Sequence, residues 1–141
     1  MFRFKDFLEM MEKANRWDHN INYEEKPLMY EFTEDCSGMY TCEPYKIELL
    51  KSWKFTSLDA ATTSSKNLLE MFENYVARGD FVGADLTRKY LQAGSIRSII
   101  KKECKDKFLE SYNKAIQNSG YLKLKSVFLD EKNLLVKEDD R

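Results

Sequence analysis

The sequence predicts a mainly α fold with a minor β part (α+β), a compact helical domain holding a central helical hairpin and one small β-hairpin. Three observations carry that expectation. Apolar residues recur at three- and four-residue steps on both sides of "RGD", at Leu58, Ala61, Leu68, Phe72 and Tyr75 or Val76, then at Val82, Leu86, Ala93 and Ile96. The same spacing returns at Phe108, Leu109, Tyr112, Ala115 and Ile116. Between Met29 and Cys42, the strand-favouring runs "MYEFT" and "MYTC" flank "EDCSG", which carries turn chemistry.

Taken in chain order, residues 3–14 place Phe4, Phe7, Leu8 and Met11 on one helical face, so residues 1–20 read as an N-terminal helix and turn. Residues 17–27 are polar and turn-rich, with "DHN" as a break. The β-hairpin follows. Pro44 suits the first turn of a short helix that runs to about Ser52. Thr56 and Asp59 form a T-x-x-D capping pattern ahead of the first long helix. Gly79 closes that helix as a left-handed cap, and Asp80 can cap the next, which makes a tight helical hairpin. Residues 105–135 form a C-terminal helical region whose first helix ends at Gly120; "YLKLKSVFLDEKNLLV" fits strand or helix equally. Residues 136–141 read as a frayed tail.

The length of 141 residues suits one domain with a real core. Hydrophobic residues at 43% and aromatics at 13% are too many for a disordered chain. Charge is balanced, 23 Lys and Arg against 24 Asp and Glu, which disfavours a general nucleic-acid coat because such proteins need excess cations. No apolar run suits a signal peptide or a membrane span, so a cytoplasmic protein without membrane contact is expected. Cys36, Cys42 and Cys104 lack metal-ligand spacing and His19 is the single histidine, so neither metal nor cofactor is expected.

The stretch "DFVGADLTRKYLQAG" is less ordinary. On a wheel of about 100° per residue, Val82, Leu86, Ala93, Ile96 and Ile100 share one face, with Tyr90 at its edge. Ala84, Leu91 and Ile99 form a second, narrower strip roughly opposite. Two strips mean either a helix covered on both sides or a subunit contact. The second is the reading carried forward, which makes the chain a homo-oligomer. Arg88 lies within that strip, and Lys89 and Arg97 flank the first. A buried cation needs an acidic partner or a ligand phosphate. Arg88 therefore either pairs with Asp85, Glu73 or a subunit mate, or clamps an anion through its fork of N–H donors.

A second cluster, "EPYKIELLKSWKF", interleaves Tyr45, Trp53 and Phe55 with Lys46, Lys51 and Lys54. Aromatic faces with cations suit a nucleobase and its phosphate, although the same residues also serve as core with snorkelling lysines. No Gly-rich phosphate loop, nucleophile elbow or metal-binding helix motif is present, so binding is expected rather than catalysis.

The blocks "MYEFT", "MYTCEPYK", "SWKF" and "GDFVGADLTRKYLQAG" run in order over residues 28–97. They resemble an uncharacterised domain family of bacteria, phages and large DNA viruses whose pattern is EPYK, then W-x-F, then DFVG-x-D-x-x-RK-x-L-Q-x-G. The arginine cluster that ends that pattern is represented here by Arg97 alone, with Ile99 and Ile100 where further arginines would fall. This argues against nucleic acid as a partner. The resemblance implies a compact, mainly helical fold with a hairpin. Its phage branch is similar to anti-CBASS sponges, which sequester cyclic oligonucleotide signals. The resemblance and the residues together imply a cyclic dinucleotide of the cyclic GMP–AMP class as ligand, held in a host cytoplasm. The residues expected to hold it are Tyr45, Lys46, Trp53, Lys54, Arg88, Lys89 and Arg97. The alternatives are a homo-oligomeric interaction module using Ala84, Leu91 and Ile99, or a small nucleic-acid-binding protein.

Overall fold

A computed structural model describes residues 16–98 and 101–139 of the chain, with side chains described as far as residue 135. The expected helix at 3–14 and the positions Ile99 and Ile100 lie outside the described residues. Five α-helices are present among those described: α1 (Tyr45–Leu50), α2 (Leu58–Ala77), α3 (Phe81–Arg97), α4 (Lys102–Gln117) and α5 (Ser119–Asp139). One turn of 3-10 helix at Pro27–Met29 precedes them. The fold is mainly α, as the spacing predicts.

α2 and α3 form the expected hairpin, and their termini are capped locally. Gly79 takes φ of +73°, and the Asp80 side chain accepts the Gly83 N–H at 2.9 Å. At the start of α2 the cap is Ser57, one residue beyond the Thr56 of the expected pattern, and it accepts from the Ala60 N–H at 3.1 Å. α4 begins three residues earlier than expected, at Lys102. The ambiguous segment after it is helix. Asn118 accepts the Tyr121 N–H at 2.9 Å and starts α5, which continues to Asp139 and so into the stretch expected to fray.

α3 is the axis of the molecule. Every side chain from Phe81 to Leu91 is buried, and α1, α2, α4 and α5 all pack on it. Its glycines make room for this. A methyl group on Gly83 would stand 2.6 Å from the Tyr75 ring, and one on Gly94 would stand 2.4 Å from Phe108. Phe81 stacks on Phe128 of α5 with ring centroids 4.8 Å apart, which seats α5 across the start of α3. Lys132 fastens the far part of α5 to the 3-10 turn through Glu31 and the Leu28 carbonyl, at 2.7 and 2.8 Å.

Two expectations are corrected. Ala84 and Leu91 are fully buried in the chain's own core, so these two positions are covered from within and are not open to a subunit. Ile96, placed by the wheel in the core stripe, is 59% exposed instead.

The β-hairpin is the third correction. Residues 30–42 run as extended chain and turns, and the sheet-like pairing among the described residues is one isolated bridge between Asn22 and Glu43. The reason lies in the hydrogen bonds. The carbonyls of Thr33, Glu34, Asp35, Ser37 and Met39 accept from side chains of α3, so they are not free for a strand ladder.

Leu91 tests the burial. Leu91→Ala should cost about 2–5 kcal/mol in urea unfolding, the range for removing a core leucine. That loss should not vary with protein concentration. A concentration-dependent loss would make Leu91 a subunit contact.

Candidate functional site

The polar side chains of α3 divide into those the fold consumes and those it leaves available. Asp85 has no exposed surface, yet it accepts from three elements. Its Oδ1 takes the Tyr121 hydroxyl at 2.6 Å and Arg88 Nε and Nη2 at 3.1 and 2.8 Å, and its Oδ2 takes the Tyr30 hydroxyl. Burial together with the facing carboxylate raises the Tyr30 phenol well above its ordinary pKa, so it stays a donor.

Arg88 is 3% exposed and fully engaged. Besides Asp85, its Nη2 donates to the Thr33 carbonyl at 2.7 Å, and its Nη1 donates to Gln92 Oε1 at 2.7 Å. The same Nη1 is shared with the carbonyls of Asp35 and Glu34 at 3.2 and 3.3 Å. All five guanidinium N–H groups therefore have acceptors. Burial works against its charge, but Asp85 and the two phenols outweigh that and lift its pKa above the ordinary value.

Lys89 is 0% exposed and donates to the Ser37 carbonyl at 2.7 Å. Its ammonium lies 4.8 Å from the centres of both the Trp17 and Tyr30 rings. These cation–π contacts take the place of water around the charge. Burial still lowers its pKa to about 8. The next residue, Tyr90, donates its hydroxyl to the Met39 carbonyl at 2.5 Å. Arg88, Lys89 and Tyr90 thus tie residues 33–39 to α3.

The expected ligand clamp needs correcting on these facts. Arg88 and Lys89 have their donors turned into the fold, and of the partners considered for Arg88, Asp85 is the one present. Tyr45 is also buried, with its hydroxyl on Asp80 at 2.6 Å, where it supports the cap of α3. Lys46 is half-exposed and pairs loosely with Glu43 at 3.8 Å. Lys54 is exposed and lines a separate concavity with Lys51, Asp59 and Ser64.

Two of the expected residues do meet. The Arg97 guanidinium carbon lies 5.8 Å from the centres of both the Trp53 and Tyr40 rings, at the exposed end of α3. Trp53 is half-buried, packed edge-on against Tyr90 and Phe55 at 5.4 and 5.0 Å between ring centres, while Tyr40 is 46% exposed. Beside them opens a cleft of about 420 Å³, walled by the loop Asp35–Thr41 on one side and by Ala93, Ile96 and Arg97 on the other. Arg97 has no carboxylate partner among the described residues. The cleft therefore offers a free guanidinium backed by aromatic rings, which suits an anion attached to a flat ring. Sequence reasoning missed Tyr40 and Asp35, because "MYTC" and "EDCSG" read as strand and turn.

Removing Arg88 should leave Asp85 buried and unpaired, so Arg88→Ala should cost about 3–5 kcal/mol. Arg97→Ala, at the surface, should stay within about 0.5 kcal/mol. Urea unfolding of the two variants measures the contrast. Lys89 adds a pH signature. Its pKa falls from 10.5 unfolded to about 8 folded, so the unfolded chain holds the extra proton between those values and stability rises with pH there. Above 9 the thiol of Cys42, which burial raises to about 12, opposes the rise because it ionises only in the unfolded chain. The urea midpoint should therefore increase from pH 8 to 9, and Lys89→Met should abolish that increase.

Among the described residues no group of three or more His, Cys, Asp or Glu side chains is placed to hold a metal ion, and no helix is long and apolar enough to cross a membrane. No curated protein and no solved structure matches the chain. A family does match, over residues 13–101, a span that takes in Asp85, Arg88, the loop they fasten and the Arg97 cleft, while Tyr121 of the same network lies beyond it. Because that span is well over half of the chain, the chain belongs to the family described as a domain of unknown function, DUF4385.

Proposed function

We propose that this chain is a non-catalytic binding protein that captures a cyclic di- or oligonucleotide, of the cyclic GMP–AMP class, and withholds it. That is the role of an anti-CBASS sponge in phage immune evasion. One observation carries the reading: Arg97, unpaired among the described residues, stands over Tyr40 and Trp53 at the lip of the 420 Å³ cleft. The cleft size falls at the lower end of the ~300–1,000 Å³ usual for small-molecule sites. A base stacked on an exposed aromatic ring gains ~1–3 kcal/mol. Arg97 supplies charge for the phosphate. The cleft takes one base and its phosphate, so the other half of a cyclic dinucleotide stays outside it, where a second copy of the chain can cover it.

A second reading is a protein-interaction module. α5 favours it, because Leu122, Val127, Leu129, Leu134 and Leu135 are all exposed along that helix. In that case the Arg97 cleft plays no part.

A thermal melt separates the two. Cyclic GMP–AMP at a hundred times its dissociation constant should add ~2.7 kcal/mol of stability. Arg97→Ala should weaken capture at least tenfold, which is about 1.4 kcal/mol. No shift with cyclic GMP–AMP would favour the interaction module. Capture without chemistry has its own readout. Ligand incubated with excess protein and magnesium should leave the free pool and return intact after heat denaturation, as read by chromatography. A linear product that grows with incubation time would make the protein an enzyme.

A further inference from the structure

The cleft is not simply cationic. Asp35 lines it together with Arg97, yet neither has an ion-pair partner among the described residues, so they do not neutralise each other. Asp35 is held in place. Its Oδ1 accepts the Ser37 N–H at 3.0 Å, and behind it Arg88 and Lys89 take the carbonyls of Asp35 and Ser37 at 3.2 and 2.7 Å. The backbone on both sides of the carboxylate is therefore anchored from the core. Its side chain is exposed, and the Ser37 backbone hydrogen bond keeps it ionised, with a pKa of about 2.

A carboxylate in a site for a bare phosphate would repel its ligand. The ligand must bring hydrogen-bond donors to Asp35 as well as negative charge to Arg97. Guanine is the common base with two adjacent N–H donors on its pairing edge, at N1 and N2, and these match the two oxygens of a carboxylate. Adenine and cytosine place a ring acceptor beside their single amino group, and that acceptor would face the carboxylate unpaired. A base bound against Asp35 displaces its water, so a base lacking those donors leaves the carboxylate without a partner, which is how such a site rejects the analogue.

We infer that Asp35 is a specificity residue that selects guanine over other bases in the cleft, with Tyr40 against the base and Arg97 toward the phosphate. This rests on the nucleotide-binding reading proposed above, and it names the half of a mixed cyclic dinucleotide that enters the cleft.

The test is calorimetric titration of the wild-type chain and of Asp35→Asn with cyclic di-GMP, cyclic di-AMP, GMP, IMP, XMP and AMP. The wild type should prefer cyclic di-GMP to cyclic di-AMP, and GMP to IMP and AMP, by at least tenfold; IMP lacks only the N2 amino group. Asp35→Asn should lose the guanine preference and gain for XMP, because an amide N–H₂ can donate to the xanthine C2 carbonyl. The IMP comparison needs no variant, so it stands even where Asp35→Asn folds poorly. Equal binding of guanine and adenine ligands by the wild type would overturn the role of Asp35 while leaving nucleotide capture intact. Guanine selectivity that survives unchanged in a folded Asp35→Asn would overturn it as well. No binding of any of the six ligands, with no shift by cyclic GMP–AMP in the melt, would overturn both readings together.

Discussion

The fold is organised round one buried ion pair. Asp85 and Arg88 stand one turn apart on α3, both shut away from water, and their attraction alone would not repay the loss of hydration. What makes the pair tolerable is that no polar atom of either side chain goes unused. Tyr30 and Tyr121 fill the remaining acceptor positions of the carboxylate, and the carbonyls of Thr33, Glu34 and Asp35 with Gln92 fill the donors of the guanidinium. Those partners come from three parts of the chain: residues 30–35, α3 itself and α5. Satisfying two charges therefore draws the loop and α5 onto α3, and the network specifies the arrangement rather than merely surviving within it.

This arrangement bears on the ligand capture we propose. Cations near the middle of α3 are consumed by the backbone of residues 33–37, which carries the wall of the cleft. Arg97, further along α3, lines the same cleft as that loop, and its guanidinium rests on aromatic rings. In the proposed capture the buried cations act indirectly. They anchor by hydrogen bonds the backbone that presents Asp35 and Tyr40, which would give a site on irregular backbone the precision usually supplied by regular elements.

Much of the helical frame was legible in the sequence, because its signals are local. The apolar spacing of α2, α3 and α4, the left-handed Gly79 and the Asp80 cap depend on neighbours within one or two turns. The double strip on α3 was legible too, but its meaning was not. Whether Ala84 and Leu91 meet another subunit or the rest of their own chain depends on which elements pack on α3, and the residues near them do not decide that. The hairpin expectation failed for a related reason. "MYEFT" has strand-favouring residues, but strand preference largely measures fit to a neighbouring surface. Here Tyr30 turns to Asp85 and the carbonyls that follow turn to Arg88. Of the expected ligand residues, Trp53 and Arg97 converge, while Tyr45 faces Asp80 and Lys54 faces another concavity. The interleaving of aromatics and lysines spans the end of α1, where the chain turns and sends alternate residues to different faces.

The central claim is that Arg88 belongs to the fold and Arg97 to the ligand. Nuclear magnetic resonance of the arginine Nε–H groups tests it in one sample. The account predicts that the Arg88 Nε–H exchanges slowly with solvent and keeps its position when cyclic di-GMP is added. Arg97 should exchange fast in the free protein and shift on addition of the ligand. A fast-exchanging Arg88 that moves with the ligand, beside an Arg97 that does not respond, would contradict it.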